Sequence, residues 1–328
     1  MKKTKKQREN ENGNKNKTEK RKQKLKTANY SLEKKREIVQ EINPISSLEI
    51  ETEFRKLREL KCKGAIAASA GVVLGNKVVD YFTMVERLAT KGHVGVDFYT
   101  FWFNRAHYRK LDYIQNMLKY YQEREISEIR KWKYIFNLYF SSISIFRPVM
   151  SMEVYCKFRP KIGVLDPTMG WGGRLVGACA LDLPKYIGID SNTKLAAPYR
   201  EMSAFLQKTT KTKIELFFQD ALTVDYSKLD YDMVFTSPPY YNIEVYSGMK
   251  EKTKEEWNTT FYKPLFERTW KSMHSPGYYC LNIPSEVYDS ACVPILGKSW
   301  KKILLKKRGR TQKNEDKGYE EYIYVWKK

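Results

Sequence analysis

The chain lacks the marks of a secreted, disulfide-built or membrane protein. Its five cysteines, Cys62, Cys156, Cys179, Cys280 and Cys292, are odd in number, scattered and free of paired Cys-x-x-Cys spacing. That argues against a disulfide scaffold or a zinc site and for reduced thiols inside a cell, and no metal is expected. No apolar core follows the basic start, so it is not expected to act as a secretory signal. The longest small-apolar stretch, 65–74, is too short to cross a bilayer and is interrupted by Gly71. A soluble, intracellular protein is expected, with no membrane partner and an oligomeric state left open. Acid is also scarce: 38 Asp and Glu face 60 Lys and Arg, a net charge of +22. This favours a polyanionic partner over a neutral small substrate.

What is present falls into three parts. Residues 1–45 have no apolar periodicity, and positions 2–26 hold twelve basic residues against Glu9, Glu11 and Glu19. They read as a disordered basic tail, a solvated extension or a non-specific phosphate-binding arm. Residues 46–150 read as mostly helical, with Ser47 able to cap a helix toward Leu60 and apolar stripes at 78–88, 111–121 and 126–140. Basic and aromatic residues interleave there (Arg105, His107, Tyr108, Arg109, Lys110, Lys131, Trp132, Lys133, Tyr134). They form either a stacking and phosphate-contacting surface or a helical subdomain with its rings packed inward.

Residues 151–328 alternate short β-rich runs with helix-length segments, as in a mostly parallel sheet covered on both faces. Strands are expected at 161–165, 186–189, 214–218, 233–235, 278–283, 302–305 and 322–326. Helices fall at about 173–181, 194–208, 254–273 and 285–296. Only a polar loop separates the last two strands, which therefore form an antiparallel hairpin.

Four strand ends carry chemistry. The segment Leu165-Asp166-Pro167-Thr168-Met169-Gly170-Trp171-Gly172-Gly173-Arg174 leaves the first strand and opens a helix. Its glycines permit a sharp turn and a close approach to a ligand. Its spacing is not the dinucleotide pattern, and no Walker lysine follows. The second strand ends at Asp190, 24 residues beyond Asp166, where a carboxylate can accept from ribose hydroxyls. The third ends at Asp220-Ala221, placed for an adenine amino group. Three acids on successive strand ends point to an adenosine-containing ligand. The fourth strand ends in Thr236-Ser237-Pro238-Pro239-Tyr240. Two prolines cannot continue a sheet interior, so the chain leaves the strand with carbonyls outside the ladder. The Ser237 hydroxyl and Pro238 carbonyl can accept from an amino group, and Tyr240 offers a face for a flat base.

With these motifs the sequence resembles the S-adenosylmethionine-dependent amino-methyltransferases of DNA, over about 158–283. It is further similar to phage- and virus-type members with a Gly-Trp-Gly-Gly-Arg loop and an aromatic stretch such as Tyr241-Asn242-Ile243-Glu244-Val245-Tyr246. The resemblance implies a Rossmann-like methyltransferase fold, an α/β seven-stranded mixed sheet with a C-terminal hairpin behind a mostly helical N-terminal region. It implies S-adenosylmethionine as cofactor, with Asp166, Pro167, Thr168, Gly170 and Gly172 at its methionine end, Asp190 at its ribose, and Asp220 and Ala221 at its adenine. Ser237, Pro238, Pro239 and Tyr240 would hold the target base. The partner would be DNA, with RNA as the alternative, and the acceptor N4 of cytosine or N6 of adenine; a silent methyltransferase fold that only binds nucleic acid is the non-enzymatic reading. Met169 and Trp171 stand where many relatives carry other residues. No Pro-Cys dipeptide is present at the catalytic position, as carbon-5 methylation would require. Tyr241, Tyr246 and Trp257 are candidates for the wall of a base pocket or for filling the gap a flipped base leaves. Only 71 residues separate Asp166 from Ser237, so target reading falls to the region before 150 or to the loop around 241–256.

Overall fold

The structure, a computed structural model, describes residues 26–62, 72–92, 94–140, 143–241, 244–245, 252–305 and 321–328. Residues 1–25 of the expected tail, most of 65–74, Tyr246 and the polar hairpin loop lie outside them. Helix α1 (Leu32–Ile42) is capped by Ser31, whose side chain accepts from Lys34 N, and it buries Ile38 and Ile42. Ordered structure thus begins before residue 45, contrary to the expected tail. The apolar stripe of Ile38, Ile42 and Ile45 is narrow and set among charges, so it leaves little periodic trace. Helix α2 (Ser47–Leu60) starts one residue earlier than expected, on a capping box: Ser46 Oγ accepts from Glu49 N while Glu49 accepts from Ser46 N at 2.9 Å.

Helix α3 (Asn76–Leu88) faces two cores: Val78 and Val79 pack toward the sheet, Met84 and Leu88 into a helical cluster. Strand β1 (Lys91–Gly92), α4 (Phe98–Phe103), α5 (Arg105–Tyr108), α6 (Asp112–Tyr120) and α7 (Glu128–Tyr139) complete that region. Helix α8 (Pro148–Phe158) straddles the boundary expected at 150, with Val149, Met152 and Tyr155 in the sheet's core. Cys62, beyond the end of α2, is joined to Cys156 on α8 by a disulfide with S–S 2.09 Å. This corrects the expectation of reduced thiols throughout. The two cysteines are 94 residues apart and meet only because α2 and α8 pack on the same face. Cys179, Cys280 and Cys292 are free and buried.

The sheet follows: β2 (Val164–Asp166), α9 (Gly173–Ala180), β3 (Lys185–Ile189), α10 (Ala196–Gln207), β4 (Lys213–Phe217), β5 (Met233–Thr236), then the short β6 (Glu244–Val245). Helices α11 (Lys254–Trp257) and α12 (Lys263–Ser272), joined by a π turn, lead to β7 (Tyr278–Ile283). Helices α13 (Ser285–Val287) and α14 (Val293–Leu296) precede β8 (Lys301–Leu305) and β9 (Glu321–Lys327). The seven strands lie in the order β4-β3-β2-β5-β7-β9-β8. The first five are parallel, and β9 runs antiparallel to both β7 and β8. This is the Rossmann-like methyltransferase architecture with its C-terminal hairpin, as expected. The central strands are apolar almost throughout because both faces are covered. Phe54, Leu57, Leu175, Val176, Tyr199 and Met202 cover one side, and Leu265, Phe266, Val287 and Ala291 the other. Full burial of each such aliphatic or aromatic side chain contributes about 1.5–3 kcal/mol. Among the described residues no helix is long and apolar enough to cross a membrane.

Candidate active site at the strand ends

The chain moves outward from β2 through β3 to β4, then returns to lay β5 on the other side of β2. That reversal opens a crevice beyond the carboxyl ends of β2 and β5, the place where open α/β sheets take ligands. Leu165 pairs with Val234 in register, so the residues that follow β2 and β5 emerge side by side. With strands about 4.8 Å apart, Asp190 at the end of β3 stands two strands, roughly 10 Å, from Ser237.

The loop after β2 is built around Asp166, which is fully buried. Its carboxylate receives Arg174 Nε at 2.6 Å and Nη2 at 3.1 Å, the Tyr186 hydroxyl at 2.6 Å and Thr236 Oγ1 at 2.7 Å. Four donors fill a carboxylate's capacity. The carboxylate of Asp166, which the resemblance places at the methionine end, is thus engaged by protein donors and holds the loop from behind. Arg174 also donates to Thr168 O at 2.6 Å, and Thr168 Oγ1 lies 2.6 Å from Thr236 Oγ1. The cofactor loop and the start of the Ser237 turn are thereby tied together. Pro167 is buried, whereas Thr168 and Gly170 are partly exposed.

Gly172 adopts φ +93° and Gly170 φ +59°, the left-handed region that glycine enters without strain. A Cβ on Gly173 would stand 1.7 Å from Phe146 O, so α9 starts in contact with the backbone that enters α8. Beside Gly170, by contrast, the nearest neighbour of an added Cβ would be Thr168 O at 3.9 Å. The turn thus presents bare backbone to open space. Met169 and Trp171, the positions that depart from many relatives, are buried in the core.

Asp190 accepts from Gly170 N at 3.0 Å through one oxygen and from Asn192 N at 2.8 Å through the other. Each oxygen keeps a lone pair for a hydroxyl. The residue is partly exposed, yet its carboxyl is packed among loop atoms. Burial pushes its pKa up to about 6 against the opposing pull of the two backbone N–H groups. Asp220 is exposed and accepts from Leu222 N at 2.9 Å, and Ala221 is buried behind it.

At the end of β5 the Ser237 hydroxyl lies 3.1 Å from the Tyr240 hydroxyl and 3.2 Å from Asn282 Oδ1. The Tyr240 hydroxyl is 3.1 Å from Asn282 O, from Asn282 Oδ1 and from Glu321 Oε1. The ring is thereby pinned to the ends of β7 and β9. Tyr262 brackets the turn, its hydroxyl donating to Pro239 O and accepting from Tyr241 N at 3.0 Å. Tyr241 sits at φ +50°, a conformation that costs a non-glycine residue about 1–3 kcal/mol and that this bracket maintains. The Pro239 carbonyl is thus occupied, while the Pro238 carbonyl receives no hydrogen bond from the described residues.

Asn282, Thr236, Glu321 and Tyr262 went unsuspected in the sequence, since each acts through contacts to residues far along the chain. The expectation for the aromatic residues beyond the tetrapeptide needs correction. Tyr241 and Trp257 are buried against Tyr262, with ring centroids 5.6 and 5.8 Å away, so neither is free to line a base pocket or fill a gap. In the helical region Tyr108 and Trp132 pack inward. Outward rings among the described residues there include Tyr81, Phe103, Tyr113, Tyr120, Tyr134 and Tyr139, with Arg124 4.7 Å over Tyr120. Strand β6, in the loop after the tetrapeptide, pairs antiparallel with β1, so the loop is joined to the region before residue 150. A cavity of about 240 Å³ between α3 and α7, lined in part by Asp80, Arg87 and Lys133, includes none of the strand-end residues.

No family model matches the chain, and no curated protein is similar to it in sequence. Among solved structures it is similar to TrmN from Thermus thermophilus, with 15% identity and a TM-score of 0.39 over 56% of this chain and 49% of that one. It is similar to a tRNA m1G37 methyltransferase from M. jannaschii, with 13% identity and a TM-score of 0.37 over 56% and 50% of the two chains. An rRNA methylase from Streptococcus thermophilus shows 16% identity and a TM-score of 0.37 over 56% and 99%. The chain spans about half the length of the first two. Likeness at this level decides nothing about substrates or residue roles.

Proposed function

We propose that the chain is an S-adenosylmethionine-dependent methyltransferase acting on an exocyclic amino nitrogen of a base in DNA, N4 of cytosine or N6 of adenine. The observation that carries the reading is the pair of neighbouring strand ends. A glycine turn with open space beside it follows β2, and a Ser-Pro-Pro-Tyr turn whose Pro238 carbonyl receives no hydrogen bond from the described residues follows β5. The Gly170 to Gly172 backbone and Thr168 would hold the methionine end of the cofactor. Asp190 would hold the ribose hydroxyls, and Asp220 and Ala221 the adenine. When bound, the cofactor supplies a methyl group on a sulfonium. The target nitrogen is a poor nucleophile because its lone pair is delocalised into the ring. Ser237 Oγ and Pro238 O accept its two N–H groups while Tyr240 stacks on the ring, which aims the lone pair at the methyl carbon. The bound cofactor would supply the methyl carbon and keep the C–S electron pair on its sulfur, and the amino nitrogen held by Ser237 and Pro238 would give up a proton to water. No covalent enzyme intermediate is needed. A base in a duplex has first to leave the stack, at a cost of a few kcal/mol.

The net charge of +22 and the outward tyrosines near Arg124 support a nucleic-acid substrate. The test is incubation with labelled cofactor and separate DNA and RNA, followed by identification of the modified nucleoside by mass. Replacing Ser237 and Tyr240 by alanine is expected to abolish transfer and leave cofactor binding intact. Surviving transfer would refute the site, label in RNA alone would move the substrate to RNA, and absent cofactor affinity would favour the silent, binding-only fold.

A further inference from the structure

We propose that Asn282 is a positioning residue that makes the Ser237 hydroxyl a pure hydrogen-bond acceptor for the target amine. The inference rests on the reading of the Ser237 turn as the amine site and deepens it. A serine hydroxyl both donates and accepts, whereas an amide or carboxylate oxygen carries no proton. For Ser237 to receive an N–H, its own proton has to be committed elsewhere.

Asn282 lies on β7, the strand next to β5, and is 1% exposed. Its amide orientation follows from its neighbours. Nδ2 lies 3.2 Å from Tyr322 O, an acceptor with no proton to give, so Oδ1 faces the two hydroxyls. Ser237 Oγ is 3.2 Å from that oxygen and Tyr240 Oη 3.1 Å. The Tyr240 hydroxyl faces three acceptors: Asn282 O, Asn282 Oδ1 and the Glu321 carboxylate. Its proton goes to one of them or to Ser237 Oγ, since either hydroxyl of that pair can donate. The Ser237 proton goes either to Asn282 Oδ1 or to the Tyr240 oxygen. In both arrangements it is committed to the β7 side, and a serine lone pair remains for the amine. Without Asn282 only the Tyr240 oxygen is left of these two acceptors, and the Ser237 hydroxyl loses the amide contact that helps keep its proton away from the incoming N–H.

The test is a double-mutant cycle. Asn282→Leu is expected to lower kcat roughly ten- to hundredfold, the scale for a misplaced charge-stabilising contact. S-adenosylhomocysteine affinity, read by calorimetry, stays within about twofold. In a Ser237→Asn background, where the accepting oxygen needs no orienting, adding Asn282→Leu costs less than about threefold. Asn282→Asp retains an acceptor and restores most of the rate, with a new acid limb where the introduced carboxyl is protonated. Equal losses in both backgrounds overturn the proposal. So does a Ser237→Asn protein that binds cofactor but transfers nothing. Should Asn282→Leu not fold, a pH–rate profile of Asn282→Asp without the acid limb overturns it. A wild-type protein that methylates no nucleic acid fails the amine-site reading itself, before any Asn282 variant is made.

Discussion

Lowering the pH from 7 to 5 is expected to weaken cofactor binding about tenfold through Asp190. Its carboxyl is pushed up to about 6 by burial, with Asp166 adding to the rise and the N–H groups of Gly170 and Asn192 opposing it. Both carboxylate oxygens already accept a backbone N–H. Protonation would place a hydrogen where a ribose hydroxyl or one of these donors points. If only the ionised form binds, Kd scales with 1 + 10^(pKa − pH), about 1.1-fold above its limit at pH 7 and about 11-fold at pH 5, or roughly 1.4 kcal/mol. The same shift fixes the sign for stability. Between about pH 4 and 6 the folded chain holds a proton that the unfolded chain has lost, so the contribution is complete below pH 4 and lost as pH rises through about 6. Its size is on the order of 2–3 kcal/mol. Calorimetric titration with S-adenosylhomocysteine between pH 5 and 8 measures the first effect. Asp190→Asn is expected to bind more weakly but without the acid limb. A wild-type Kd that changes less than twofold, or the same limb in Asp190→Asn, would refute the reasoning.

Three further outcomes follow from the same geometry. Arg174→Met leaves Asp166 buried without its cation and is expected to cost about 3–5 kcal/mol in chemical denaturation. If the loss stays below about 1 kcal/mol, the pair does not organise the loop. Gly173→Ala places a Cβ 1.7 Å from Phe146 O and is expected to destabilise the fold by at least about 1–3 kcal/mol; a neutral melting temperature would show that α9 and the entry to α8 are not in fixed contact. Tyr120→Ala with Tyr134→Ala, both at exposed positions, is expected to leave stability and cofactor affinity intact and to weaken DNA binding by at least fivefold, given about 1–3 kcal/mol per stacked base. Unchanged DNA affinity in a salt titration would remove this face from target binding.

Each feature that the amino-acid order determined alone is encoded within one βα unit. Apolar runs of strand length, a glycine turn after β2, acids at the ends of β3 and β4, and two prolines that force an exit from β5 all act on their own backbone. They can be read without knowing what lies opposite. Tertiary structure decided which of those residues face the crevice. Asp166 has the pattern of a ligand-binding acid, yet Arg174, Tyr186 and Thr236 converge on it because α9, β3 and β5 surround the end of β2. Tyr241 and Trp257 carry the aromatic character of a base pocket but are drawn inward by Tyr262. Ser237 and Tyr240 owe their orientation to Asn282 and Glu321, 45 and 81 positions along the chain from the residues they hold. Cys62 and Cys156 meet only where α2 and α8 share a face of the sheet. Turn and strand propensities are local energies, while proton direction and ring exposure depend on which side chains packing brings into contact.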